Sequence, residues 1–282
     1  MEMNEKPMLS AINCHHRFYE LECFFKSSNE SGYRFVEIWT GPQHFFIDYR
    51  KHENVKKILE LEQKYSIKVI GICPEQTNPK PNNIAAKDLE MQSRVLNYFK
   101  NVIDVACEVK ANQVVVTSGW AFYNESIDDA YSRSIRMLQK ISDYAEEKGI
   151  YLAIEALQES ESLLANNIDD LKRLLVDVNR QSLKICLDLG AMAAAGDSIQ
   201  EYFDTFNEDI IHAHFVDVKD NITHLAWGDG SRNMRRDIEC FERNNYKGVL
   251  SVECINNKYF LDPQTVDKQS MEIYKKIGRE RE

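Results

Sequence analysis

Short apolar runs alternate with longer amphipathic stretches from one end of the chain to the other. The runs are Met8–Cys14, Phe35–Trp39, Lys68–Cys73, Gln113–Thr117, Tyr151–Ala156, Leu183–Leu187, Ile210–Val216 and Gly248–Cys254. Their length, bounding residues and β-branched content predict strands buried on both faces. Between them the spacing predicts helices over Tyr19–Ser31, Asn54–Tyr65, Ala86–Val109, Ser126–Lys148, Ile168–Val176, Ile199–Phe206 and Arg235–Asn244, with a last one over Pro263–Lys276. Lys148-Gly149 reads as a helix stop, because glycine takes the left-handed C-terminal position without steric cost. Eight strand–helix alternations predict an α/β fold, a single (β/α)8 barrel in one domain over residues 1–282; the count disfavours an open doubly wound sheet. Two connections, Gly41–Lys51 and Pro74–Ala85, are longer than linkage requires, and long loops at strand C-termini are where a barrel keeps its chemistry.

The residues that close the strands carry the chemistry. Glu155 ends Leu152-Ala153-Ile154, Asp188 ends Ile185-Cys186-Leu187, His214 ends His212-Ala213, and Glu253 follows Ser251-Val252. A carboxylate or imidazole closing a hydrophobic strand is costly to bury unless paired or bound to a cation. A lone strand-end acid is usually a helix cap. Four such groups on four successive strands converge on one side of a barrel mouth, and no Lys or Arg in the same motifs balances them. Three carboxylates and one imidazole suit a divalent ion, Mn²⁺, Mg²⁺ or Co²⁺ ahead of Zn²⁺. His212 points to the same side as His214 by strand alternation and reads as a packing or supporting residue as readily as a ligand.

This quartet resembles the metal-binding set of the xylose-isomerase-like sugar isomerase and epimerase superfamily of TIM barrels, especially its ketose 3-epimerases. The likeness covers nearly the whole chain. Narrower likeness to the fructoselysine 3-epimerases lies in Phe35-Val36-Glu37-Ile38-Trp39 running on to His44-Phe45, in Val69-Ile70-Gly71 followed by Pro74-Glu75, in Asp188-Leu189-Gly190-Ala191, in His214-Phe215-Val216-Asp217 and in Thr223-His224. Many members of the superfamily carry a histidine three residues after the metal-binding aspartate; Ala191 stands there, a departure that fits the narrower group. A second departure is Trp227-Gly228-Asp229-Gly230 in place of the usual Pro-Gly-Glu-Gly, which leaves substrate detail open.

The resemblance implies an isomerase acting at C3 of a ketose or fructosamine, most simply fructoselysine and psicoselysine, through an enediolate. It implies Glu155 and Glu253 as the two proton-transfer bases as well as metal ligands. It also implies substrate contacts at Glu161 and His224, with His44 and Glu75 as further contacts from the two long loops. Trp39 could wall the sugar or simply belong to the core. Aldose–ketose isomerisation and keto-sugar dehydration are the alternatives on the same barrel. Abasic-site nuclease chemistry, also found in the superfamily, would need more histidine ligands and a basic face.

Composition narrows this further. The formal charge of −10 argues against a nucleic-acid partner and leaves a small-molecule sugar or fructosamine as the substrate. Seven scattered cysteines without a C-x-x-C read as reduced thiols. Met1–Ser10 is polar, and no apolar run approaches the roughly 20 residues of a membrane span, so a cytoplasmic protein is expected. A homo-oligomer is compatible with such a barrel.

Overall fold

The computed structural model describes residues 6–76 and 79–279. The start of the polar N-terminal segment and two positions inside the loop 74–85 lie outside them. Eight parallel strands close a barrel in the order β1-β10-β7-β6-β5-β4-β3-β2. They are β1 (Leu9–Ile12), β2 (Phe35–Trp39), β3 (Lys68–Cys73), β4 (Gln113–Val116), β5 (Tyr151–Ile154), β6 (Leu183–Asp188), β7 (Ile210–His214) and β10 (Leu250–Val252). Strands β8 (Asp217–Lys219) and β9 (Ile222–Leu225) form a separate antiparallel hairpin after β7.

Around the barrel run α1 (Leu21–Ser31), α2 (Lys56–Tyr65), α3 (Leu89–Glu108), α4 (Ile127–Lys148), α5 (Ile168–Val178), α6 (Leu189–Ala195), α7 (Ile199–Phe206), α8 (Met234–Arg243) and α9 (Pro263–Arg279). Side-chain caps set several starts. Asp88, Ser126, Asn167, Ser198 and Asn233 each accept a backbone N–H from the first turn of the helix that follows. Asp88 thus moves the third helix to Leu89 from the expected Ala86. The stop at Gly149 takes φ 70°, as its position predicts.

One large apolar cluster lies between strands and helices, including Val36, Ile38, Val114, Leu152, Leu187 and Leu250. The barrel interior differs in kind. A small cluster of Ile12, Cys14, Cys73 and Val115 sits there with Trp39 against it, and Glu37, His212 and His214 are fully buried alongside. Alternation therefore sends hydrophobes outward to the helices and chemistry inward.

Further expectations change. The first run ends at Ile12 because the Asn13 side chain takes over the pairing with β2. Its Oδ1 accepts the Trp39 N–H at 2.6 Å and its Nδ2 donates to the Trp39 carbonyl at 2.8 Å, and Asn13–His16 then turns as a short 3-10 helix. The run Ile210–Val216 stops at His214, since Val216 leads into the hairpin. Helix α6 and that hairpin were not anticipated. All seven cysteines are free thiols, five of them buried. No described helix is long and apolar enough to cross a membrane.

Candidate metal and catalytic site

The four strand-end residues meet. Glu155, Asp188, His214 and Glu253 each offer a ligand atom, and these atoms all lie within 4.8 Å of one another. The parallel register aligns Asp188 with His214, and Ser251, two residues before Glu253, with His214 as well. Glu155 extends the β5 ladder by one bond, its N–H donating to the Val116 carbonyl at 3.1 Å.

The contacts converge on one atom. His214 Nδ1 is 2.9 Å from Glu155 Oε2, 3.0 Å from Glu253 Oε2 and 3.6 Å from Asp188 Oδ2. These are ion-pair distances without hydrogen-bond geometry, and Nδ1 and Asp188 Oδ2 are both buried without a hydrogen-bond partner. One ring nitrogen cannot satisfy three carboxylates, whereas a cation set among them would satisfy all four groups. The donor set therefore fits a divalent ion, with oxygen ligands and one nitrogen.

Asp188 does two jobs. Its Oδ1 accepts the Ala191 N–H and caps α6, leaving Oδ2 turned to the cluster. The helix cap therefore leaves the oxygen that faces the cluster unused.

Behind His214 stands a residue whose role the sequence did not reveal. Glu37, fully buried in the middle of β2, accepts from His212 Nε2 at 2.8 Å and lies 3.4 Å from His214 Nε2. Burial pushes its carboxyl upward, but the two imidazoles outweigh that and hold it well below the usual range. A carboxylate on the far nitrogen of a metal-ligating histidine fixes its tautomer and ring orientation. The available signal was an acid at an inward position of an apolar strand, matched by two inward histidines on another.

Burial raises the Glu155 carboxyl to about 7, partly opposed by His214 and reinforced by Glu253 and Asp188. Glu253 experiences the same burial, yet His214 and then His224 bring it below the ordinary value. The two outer carboxylates thus sit in unlike environments. They come from β5 and β10, flanking Asp188 on β6 and His214 on β7.

His224, on the hairpin, reaches the cluster from above. Its Nε2 is 3.3 Å from Asp188 Oδ2 and 3.6 Å from Glu253 Oε2, while Nδ1 hydrogen-bonds Thr223 Oγ1 at 2.9 Å. Burial lowers the basicity of this ring, but Asp188 and Glu253 raise it to about 9. The backbone at His224 is left-handed, with φ 55°. Gly190 makes room for it, since a Cβ there would lie 2.8 Å from His224 Cε1.

The hairpin is tied down by Asp217, whose carboxylate accepts N–H groups from Val218, Gly228, Gly230 and Arg232. A Cβ at Gly230 would lie 2.2 Å from Asp217 Oδ1. The Trp-Gly-Asp-Gly turn therefore keeps the two glycines its geometry needs.

Of the other expected contacts, Glu161 and Glu75 line the cavity at this mouth with His224. Glu161 Oε2 accepts the Gln158 N–H at 3.0 Å, and burial raises its carboxyl. Glu75 pairs with Lys80 at 2.9 Å. His44 is not brought to the cavity. Its ring is fully buried, Nδ1 accepting from Asn13 at 2.7 Å and Nε2 donating to the Tyr19 carbonyl at 2.9 Å. That ring packs edge-on to Trp39, and Trp39 itself lines the cavity.

Comparison with known proteins agrees with this architecture. Fructoselysine 3-epimerase of Shigella flexneri is 29% identical over 267 residues, covering 94% of this chain and 96% of that protein. A D-allulose 3-epimerase from Methylomonas sp., solved with D-allulose, superposes with a TM-score of 0.79 at 14% identity, covering 96% and 98% of the two chains. The IOLI protein, solved with a zinc atom, superposes with a TM-score of 0.76 at 18% identity, covering 96% of each. These two structures share the fold. The family profile described as xylose isomerase-like TIM barrel matches residues 25–277, and the chain belongs to that family.

Proposed function

We propose that this chain is a divalent-metal-dependent carbohydrate 3-epimerase, with fructoselysine and psicoselysine as its substrate pair. The observation that carries the reading is the convergence of three carboxylates and one imidazole within 4.8 Å at the barrel mouth. The 29% identity to a fructoselysine 3-epimerase across nearly the full length supports the substrate class.

Removing the proton at C3, beside the C2 carbonyl, is too difficult for a carboxylate alone. A divalent ion held by Glu155, Asp188, His214 and Glu253 would supply the positive charge that stabilises the developing enediolate. Mn²⁺, Mg²⁺ and Co²⁺ suit the oxygen-rich set, with Zn²⁺ less favoured. Epimerisation needs a base on each face of C3. Glu155 and Glu253 flank the cluster from strands separated by two others, so a sugar seated between them meets one carboxyl on each side. One takes the proton and the other returns it from the opposite face. Glu37 and His212 pack behind His214 and would support it, and Glu161 and His224 would meet substrate hydroxyls.

The test is conversion. Metal-stripped protein should be inactive, and Mn²⁺ should restore formation of psicoselysine from fructoselysine. Appearance of an aldose, or loss of water, would assign one of the neighbouring chemistries instead.

A further inference from the structure

The cavity above the cluster is larger than a six-carbon sugar needs. At about 880 Å³ it lies near the top of the roughly 300–1,000 Å³ range of pockets for drug-sized ligands. Its inner end is lined by the acids described above. Its outer end is built by the segment between β1 and α1, and two charged residues there have no ionic partner.

Arg17 donates from Nε to the Cys14 carbonyl at 3.0 Å. Its guanidinium stacks 5.1 Å from the Trp39 ring centroid and 4.7 Å from that of Phe260. Those contacts orient the fork, while no described carboxylate pairs with it. By contrast Lys80, the other basic side chain at the mouth besides His224, is committed to Glu75. A fixed, unpaired guanidinium in a cavity is the standard receptor for a carboxylate, which it meets with two parallel hydrogen bonds. Three residues on, Glu20 occupies the N-cap of α1 without making a side-chain cap, and it too forms no ion pair. Phe18, between them and three-quarters exposed, lines the same cavity with Ile255 and offers an apolar wall.

We infer that the outer end of the cavity is a subsite for an α-amino-acid group carried by the sugar, with Arg17 receiving its carboxylate and Glu20 its ammonium. This rests on the epimerase reading and assigns the specificity determinants for the C1 substituent. A methylene chain along Phe18 and Ile255 joins the two ends. Adjacent opposite charges on one carbon match an Arg and a Glu three residues apart in the turn between β1 and α1 better than either charge alone would.

Three sugars test it: fructoselysine, the fructosyl adduct of 1,5-diaminopentane (no carboxylate) and that of 6-aminohexanoate (no ammonium). Both kcat/KM and calorimetric Kd are measured on wild type, Arg17→Met, Arg17→Lys and Glu20→Gln. Wild type should favour fructoselysine over each adduct at least tenfold. Arg17→Met should erase the preference over the diaminopentane adduct, with Arg17→Lys intermediate, and Glu20→Gln should erase that over the aminohexanoate adduct. Folded variants that keep the wild-type ratios would overturn the subsite while leaving epimerisation intact. Binding that discriminates without any turnover would instead uphold the subsite and sink the epimerase reading. Wild type that binds none of the three sugars overturns both.

Discussion

At the residue scale, Asp188 caps a helix with one carboxylate oxygen and keeps the other facing the cluster where a metal is proposed. The cap fixes its rotamer and leaves the second oxygen buried, without a hydrogen bond, 3.3 Å from His224 Nε2 and 3.6 Å from His214 Nδ1. Glu37 hydrogen-bonds His212 and faces the far nitrogen of His214 at 3.4 Å, an electrostatic rather than a hydrogen-bonded contact. Replacing Glu37 by Gln should keep the fold and weaken Mn²⁺ binding by about 10–100-fold, as read by equilibrium dialysis; an unchanged affinity would remove Glu37 from the support of the site. Glu155→Gln and Glu253→Gln should each lower epimerisation by at least about 10³-fold. Neither should cost thermal stability without metal, since each removes one of several buried acids crowded together. Full activity in either variant would refute the two-base scheme. The four proposed ligands were legible because each interrupts an apolar strand at its end. Glu37 interrupts one in the middle, and only three-dimensional pairing with His212 gives it meaning. His44 was less legible still: in sequence it is one polar residue of a long loop, and both its nitrogens prove to be satisfied internally.

At the scale of elements, the strands were readable to within a few residues because burial on both faces leaves uninterrupted apolar runs. The two elements that shape the mouth were not. Helix α6 is seven residues long and begins Leu-Gly-Ala, with too little length to show a helical period. The hairpin has strands of three and four residues, turned through a left-handed Asp220. Both meet at Gly190 and His224. Gly190→Ala should favour α6 by up to about 1 kcal/mol in helix propensity. It should nonetheless lower kcat/KM by on the order of 10²-fold by displacing His224 and crowding Asp188 Oδ1, which a Cβ would approach to 3.1 Å. A more stable variant with unchanged activity would show that the close approach of α6 to His224 has no part in the reaction.

At the scale of the whole molecule, the barrel is closed by a polar clasp set against the apolar shell, with the His16 ring edge-on to Phe24. Asp267 on α9 accepts from His15 Nε2 at 2.9 Å, His16 Nε2 at 2.8 Å and Ser27 Oγ at 2.6 Å, tying the last helix to the segment after β1 and to α1. Burial raises the Asp267 carboxyl, but the two imidazoles outweigh it and leave the group well below its ordinary value. Burial likewise lowers His16, which stays neutral as a donor. Both shifts act in one direction. Below about pH 6.5 the unfolded chain binds a proton at His16 that the folded chain refuses, so stability falls. The Asp267 contribution is complete above about pH 4 and is lost as the pH drops through its folded value. Urea titrations of wild type and Asp267→Asn should show the difference between them shrinking below about pH 4. Asp267→Asn should cost about 3 kcal/mol at pH 7 and flatten the acid limb; an unchanged limb would locate the acid sensitivity elsewhere.

On the proposed function, the barrel mouth exchanges one proton at C3 of the sugar. The most direct test is ¹H NMR of fructoselysine incubated in D₂O with the protein and Mn²⁺. The C3 proton should disappear while those at C1 and C4 persist, and chelation should stop the loss. Exchange at C1 alone, or none at C3 with fructoselysine or any free ketose, would contradict it.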